Sequence, residues 1–339
     1  MAKYKVISLG KLGNPSLAPE EKELAGVKGG VEVVAARPTS ENEMISAAKD
    51  ADAVLGAGRF LTPRVMAALP KLRMIATYSV GYDTLDIDAA TANHIIIVNN
   101  PALAWCLEEV SNQAFALLLA CAKKLTILNN LVKEGRWNDT RQVMAPMASV
   151  HGQTLGIIGC GNIGRMVAEK ARCFGLKLIG YDPYVDKALA KKSGITLTSS
   201  LPRLLKESDF VSIHAFLNEE TRHMLGEDEF MQMKATAYLI NTARGPIVDE
   251  AALIKALREK RIAGAGLDVF EKEPIAPDNP LIKMDNVVVF PHSASYSDAA
   301  LEAHPINPSQ EVARVLSGHW PHNVVNQGVK PKFNLTKED

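Results

Sequence analysis

The sequence predicts a two-domain α/β protein built on parallel sheets. Three observations carry this. The chain has 339 residues, more than a single hydrophobic core usually serves, so two domains are the natural expectation. Short apolar runs alternate with polar segments of helical spacing in both halves, which is the rhythm of βα units. One run, Asp209-Phe210-Val211-Ser212-Ile213, is continuous and apolar after its aspartate, as expected of a strand covered on both faces.

Taken in order, the first hundred residues give apolar runs at Lys5 to Leu9, Val31 to Ala36, Ala53 to Ala57, Arg73 to Tyr78 and Ile95 to Val98. Glu108 to Leu128 places Val110, Ala114, Leu117, Leu118 and Cys121 on one helical face, predicting one long buried helix that crosses between domains. Asn129 to Gln153 is irregular and contains Trp137, and a stretch of this kind is expected to be an oligomer contact. A second βα series follows, with strands near 155–159, 176–181, 209–213, 237–241, 264–269 and 286–290. A helix over about Leu301 to Leu316 leads to a polar tail after Asn326, expected to be loosely ordered.

Composition narrows the function classes. Apolar residues make up 47% and charged residues 22%, the profile of an ordinary globular protein. Lys+Arg and Asp+Glu both number 38, so no basic excess points to nucleic acid or a membrane surface. No uncharged apolar run reaches the length of a membrane span, and the first residues read as a strand, not a leader peptide. The cytoplasm is the expected location. Cys106, Cys121, Cys160 and Cys173 lack metal-like spacing and are expected to be reduced, buried thiols. No histidine cluster has ligand spacing, so no metal is expected. His151, His304, His319 and His322 sit in polar surroundings and are expected to be exposed.

Gly159-Cys160-Gly161-Asn162-Ile163-Gly164 follows the apolar run Leu155 to Ile158 and opens a helical segment. Such a strand, glycine turn and helix start suit a dinucleotide pyrophosphate, because N–H groups at the helix N-terminus face the anion. A second apolar run ends in Asp182, 23 residues after Gly159. A carboxylate there accepts hydrogen bonds from a ribose diol and repels a 2′-phosphate, favouring NAD over NADP. The plainer alternative for Asp182 is a strand-end turn residue before Pro183.

Three more segments fall at predicted strand ends, where open α/β sheets bind ligands. They are Ile240 to Gly245, Gly266 to Pro274 and Val289 to Tyr296. Together they offer Arg244, a carboxylate at Glu271 or Glu273, and His292. Reversible hydride transfer to a 2-keto acid needs this set. A guanidinium grips the substrate carboxylate and keto oxygen in a planar fork, an imidazolium donates a proton to that oxygen, and a carboxylate beside the imidazole favours its charged form. His214 ends a strand and is expected to line the cofactor cleft.

These segments, with Tyr181-Asp182-Pro183 and with Ser79-Val80-Gly81-Tyr82-Asp83 and Asp86 in the first domain, resemble the D-isomer-specific 2-hydroxyacid dehydrogenase family. Tyr181-Asp182-Pro183-Tyr184 and His292 to Ser297 are similar to its C-terminal-binding-protein-like branch. The resemblance implies two Rossmann-like domains with a cleft between them. A flavodoxin-like substrate domain would span residues 1–103 and 298–326, an NAD-binding domain 104–297, and a tail 327–339. It implies Arg244, Glu273 and His292 as catalytic residues, with Glu273 rather than Glu271 paired to His292. Backbone at Val80 and Gly81, with Arg244 and His292, would bind the substrate. Cofactor contacts would come from Gly159, Gly161, Asn162, Ile163, Gly164, Asp182, His214, Thr221, Thr242, Ala243, Asp268 and Ala294, with Asp268 toward the nicotinamide amide. Dimers would form through the NAD domain.

The chain departs from branch relatives at three places: Phe216 stands for a proline, Ser295 for a tryptophan, and Ser111-Asn112-Gln113 for an acidic-histidine pair. Trp105 and Cys106 are expected to shape the pocket. The reading is an NAD-dependent oxidoreductase interconverting a 2-keto acid and a D-2-hydroxy acid. The alternative is a dinucleotide-sensing, corepressor-like interaction protein with little turnover, against which stand the intact trio and the absence of long flanking extensions.

Overall fold

The computed structural model describes residues 3–10, 16–58, 60–100 and 104–337, apart from the side chains of 104 and 105. The chain divides into two compact units, Met1–Cys106 with Ser297–Asp339, and Leu107–Tyr296.

In the first unit five strands, β1 (Tyr4–Ser8), β2 (Val31–Ala35), β3 (Ala53–Leu55), β4 (Met74–Ala76) and β5 (Ile96–Val98), form one sheet in the order β2-β1-β3-β4-β5. Every pairing is parallel, giving the flavodoxin-like order. β3, β4 and β5 are buried along their whole length. One face packs on Met44, Val65 and Leu85. The other packs on Leu24 and on Val312, Val315 and Leu316 of the helix Ile306–Leu316, so the C-terminal segment completes this core. Helix starts are fixed by side-chain caps: Ser40, Thr62 and Asp86 accept from the N–H groups of Glu43, Val65 and Ala89.

The second unit holds seven strands, β6 (Thr154–Ile158), β7 (Lys177–Tyr181), β8 (Thr196–Leu197), β9 (Phe210–Ile213), β10 (Tyr238–Asn241), β11 (Gly264–Leu267) and β12 (Val287–Val289). They are all parallel, in the order β12-β11-β10-β9-β6-β7-β8. This is the Rossmann order with one strand added, and the order reverses between β6 and β9. A ligand crevice is expected beyond the carboxyl ends of those two strands, which is where the glycine turn lies.

Several expectations are corrected. The single helix Glu108 to Leu128 is two, Ala104–Ala122 and Leu125–Lys133, bent by 62°. Lys124 breaks it with a left-handed φ of 52°, and its Nζ donates to the Val143 carbonyl, tying the break to the following segment. That segment is not irregular throughout: Trp137–Asp139 and Thr140–Met144 are helical turns. The helix expected near 301–316 is interrupted between Asp298–Ala303 and Ile306–Leu316, because Pro305 cannot continue it. His304, at that break, is buried and not exposed, and His319 is half-buried. Cys173 is exposed, whereas Cys106, Cys121 and Cys160 are buried. The segment after Asn326 is not loose as far as residue 337: Val329, Phe333 and Leu335 pack into the first unit's core, and the Trp320 N–H donates to the Thr336 carbonyl.

Candidate active site

Two of the three glycines of the turn after β6 are dictated by close neighbours, and the third faces open space. Gly159 has φ +88°, and a Cβ there would sit 2.5 Å from the Ala215 nitrogen, so the turn abuts the loop after β9 at the switch point. A Cβ on Gly164 would meet the Gly159 carbonyl oxygen at 2.1 Å. At Gly161 a Cβ would meet nothing within 4 Å, leaving open space where a diphosphate needs close backbone approach. The helix Asn162–Cys173 starts at Gly161 without a side-chain cap, so N–H groups of its first turn, including Asn162 and Ile163, stay available to an anion.

Asp182 follows β7 and is held by three backbone N–H groups: Cys160 donates to Oδ2 at 2.8 Å, and Tyr184 and Val185 to Oδ1 at 2.9 and 3.0 Å. A carboxylate offers about four acceptor positions. Asp182 is thus both the turn residue of the plainer reading and an oriented acceptor with capacity left for a hydroxyl. These features fit a dinucleotide.

At the ends of β10, β11 and β12 the trio comes together. Asn241 folds the first turn, its Oδ1 accepting from the Ala243 N–H and its Nδ2 donating to the Arg244 carbonyl. Arg244 Nη1 donates to the Ala243 carbonyl at 2.7 Å. A Cβ on Gly245 would lie 1.9 Å from the Phe270 carbonyl carbon and oxygen, so only glycine lets the arginine turn press against the loop that carries the glutamates. In that loop the Phe270 N–H donates to Glu273 Oε1 at 3.0 Å, and Glu273 Oε2 meets His292 Nδ1 at 2.6 Å. Burial pushes the Glu273 carboxyl up. The hydrogen bonds from His292 and Phe270 and the charges of His292 and Arg244 overcome this and hold it below the ordinary range.

His292 adopts a left-handed φ of 54°. Its N–H donates to the Asp268 carbonyl at 2.7 Å, and the Asp268 carboxylate accepts from the Ser293 and Ala294 N–H groups at 3.0 and 2.8 Å. Asp268 is wholly buried. Burial raises its pKa against those two bonds, and what it visibly does is fix the turn that presents His292. Sequence spacing left Glu271 and Glu273 open; the fold separates them, Glu273 facing His292 and Glu271 facing His223. His223 drew no notice in the sequence, because its partner Glu271 lies 48 residues away and no local pattern reveals it.

The remaining candidates are placed as follows. His214 caps β9 with Nε2 2.8 Å from the Ser212 hydroxyl, and burial pushes its pKa down to about 3. Its buried Nδ1 and the buried Thr242 hydroxyl have no hydrogen-bond partner. The Thr221 hydroxyl donates to the Phe216 carbonyl, shaping a loop on which Phe216 is exposed. Ala243 and Ser295 are half-buried and Ala294 is buried. Val80 and Gly81 lie in the first unit. The carbonyls of Ser79, Val80 and Gly81 accept from Thr77 Oγ1, Asn99 Nδ2 and Ser79 Oγ. The Trp105 side chain lies outside the described residues. Among the described residues no group of three His, Cys, Asp or Glu is placed to hold a metal ion, and no single helix is long and apolar enough to cross a membrane.

A Rossmann sheet with this glycine turn, and a paired histidine and glutamate at its strand ends, defines a dinucleotide-dependent dehydrogenase. Residues 115–294 match the NAD binding domain, and residues 10–105 the catalytic domain, of the D-isomer specific 2-hydroxyacid dehydrogenases. The chain belongs to that family, and it is an NAD-dependent reductase of 2-keto acids. It is 43% identical over 297 residues to a glyoxylate reductase of Korarchaeum cryptofilum, covering 86% of this chain and 88% of the relative. It is 37% identical to a D-3-phosphoglycerate dehydrogenase of Methanocaldococcus jannaschii over 90% of this chain but 57% of that protein. Among solved structures it is similar to a D-lactate dehydrogenase from Aquifex aeolicus complexed with NAD and lactic acid, at 30% identity and TM-score 0.78, over 95% of this chain and 99% of the other. The interaction-protein alternative finds no support among these relatives, and the narrower branch resemblance rests on the sequence segments alone.

Proposed function

We propose that the protein reduces a small 2-keto acid of the glyoxylate class, with His292 as the acid and Arg244 as the substrate anchor. The observation that carries this reading is the 2.6 Å contact between His292 Nδ1 and Glu273 Oε2, beside the turn that bears Arg244. With Nδ1 bonded to the carboxylate, Nε2 is the nitrogen left to face a substrate. NADH supplies the hydride when bound. As the hydride reaches the keto carbon, His292 gives its Nε2 proton to the keto oxygen, and solvent later reprotonates the ring. Glu273 stays ionised and stabilises the imidazolium before transfer. Arg244 holds the substrate carboxylate and keto oxygen bidentately. We assign the Val80 and Gly81 N–H groups to the substrate carboxylate. Gly159, Gly161, Asn162, Ile163 and Gly164 would hold the diphosphate and Asp182 the adenosine ribose. His214, Thr221, Thr242, Ala243, Asp268 and Ala294 would line the rest.

We also propose a homodimer formed through the NAD-binding unit, on the exposed apolar side chains of Leu125, Val132, Trp137, Met144 and Met147.

The test of the chemistry is NADH oxidation with glyoxylate, hydroxypyruvate and pyruvate. Glyoxylate or hydroxypyruvate should be turned over by the native protein, and His292→Ala should be slower by about 10²–10⁴-fold with NADH binding retained. Equal rates for the two proteins on every substrate would overturn the assignment.

A further inference from the structure

Two histidines in the second unit have left-handed backbone, His223 at φ 51° and His292 at φ 54°. Each meets one of two glutamates separated by a single residue: His223 Nε2 lies 2.8 Å from Glu271 Oε1, and His292 Nδ1 lies 2.6 Å from Glu273 Oε2. The segment Phe270 to Glu273 is thus held on both sides.

The outer pair is itself anchored. The His223 N–H donates to the Pro246 carbonyl and the Leu225 N–H to the Ile247 carbonyl, while the Asp249 N–H donates back to the Leu225 carbonyl. Residues 223–225 therefore run alongside the turn that carries Arg244. Glu271 Oε2 accepts from the Glu250 N–H, the Glu271 N–H donates to Glu250 Oε2, and Glu250 Oε1 accepts from Asn279 Nδ2. Facing a carboxylate, His223 Nε2 must carry the proton whatever the ring's charge. The bond is therefore made by the neutral and the charged ring alike.

Building on the catalytic assignment above, we propose that His223 and Glu271 are a positioning pair: they clamp the glutamate loop against the arginine turn and thereby set Glu273 on His292. Displacements of about 1 Å at a catalytic group can lower rate by about 10²-fold, so a clamp on the loop that carries Glu273 acts on kcat.

The experiment is a double-mutant cycle with a pH profile. His223→Ala should lower kcat for glyoxylate reduction by about tenfold, leaving the NADH dissociation constant, read by fluorescence, within about twofold. The groups acting on His292 are Glu273, Asp268 and, through Glu273, Arg244. A slackened Glu273 stabilises the imidazolium less, so activity should fall away at lower pH in the variant than in the native enzyme. His223→Gln, whose amide can donate to Glu271, should recover most of kcat. Glu271→Gln, which keeps an acceptor but weakens the bond, should shift the profile in the same direction. In a Glu273→Gln background His223→Ala should have no further effect. Additive losses in that background, or an unmoved pH profile, overturn the proposal. A His292→Ala enzyme as fast as the native one would instead overturn the catalytic assignment, so the two failures are distinct.

Discussion

His292 reaches its place through backbone that L-residues avoid, and the enclosing bonds to Asp268 and Glu273 hold it there. Strain of this kind, of order 1–3 kcal/mol, persists where surrounding structure over-determines it. His214 is the opposite case, an imidazole kept neutral. Burial lowers its pKa to about 3, whereas an unfolded histidine titrates near 6.5. Between those values the unfolded chain binds a proton that the native chain refuses, so this group's contribution is complete above about pH 6.5 and is lost as the pH falls. Thermal unfolding followed from pH 7.5 to 5 should show a steeper loss for the native protein than for His214→Phe, and parallel curves would exclude His214 as the cause. At Asp182, three backbone N–H groups fix the carboxylate that would read the ribose. Asp182→Ala should weaken NADH by about 1–3 kcal/mol, the cost of losing a charged acceptor, while NADPH, relieved of repulsion, should weaken less or tighten. Fluorescence titration with both cofactors decides it, and an unchanged preference would mean that another group makes the distinction.

At the scale of elements, what the sequence reveals and what it hides have physical reasons. Parallel strands buried on both faces must be continuous and apolar, so eleven of the twelve strands among the described residues stand near their expected places. β8, Thr196–Leu197, is only two residues long and half exposed, too short to make a pattern. The glycine turn was legible because its three glycines keep a fixed spacing within six residues directly after an apolar strand. The break at Lys124 was not, since no glycine or proline marks it and the bond that accompanies it runs to Val143. Nor was the split role of Glu271 and Glu273, decided by partners 48 and 19 residues away. Gly245 shows how such long-range fitting governs the site. Gly245→Ala places a Cβ against Phe270 backbone, which has no rotamer to yield, so the arginine turn must separate from the glutamate loop. Loss of about 10²-fold in kcat/KM for the keto acid with NADH affinity retained is the expected outcome. Unchanged kcat/KM would mean that the two segments need not touch for catalysis.

For the molecule as a whole, one stretch gathers several exposed apolar side chains. Trp137 is 69% exposed and Leu125 54%, and Val132, Met144 and Met147 are exposed too, all within 23 residues of sequence that carry little other chemistry. Scattered single apolar residues are ordinary, but several in one segment mark a contact surface. Aromatic and methionine side chains are the types enriched at the centres of such contacts. An interface built this way loses most when its large aromatic is replaced by a charge, which must be desolvated without a partner. Sedimentation velocity across a hundredfold range of protein concentration should therefore show a dimer for the native chain. Trp137→Glu should shift the distribution toward monomer, with the circular dichroism of the monomer unchanged. Because Trp137 and its helical turn stand outside both sheets, the NAD-binding unit should keep its fold and its NADH affinity in that variant. A native protein that sediments as a monomer at every concentration would leave the patch without a partner of its own kind.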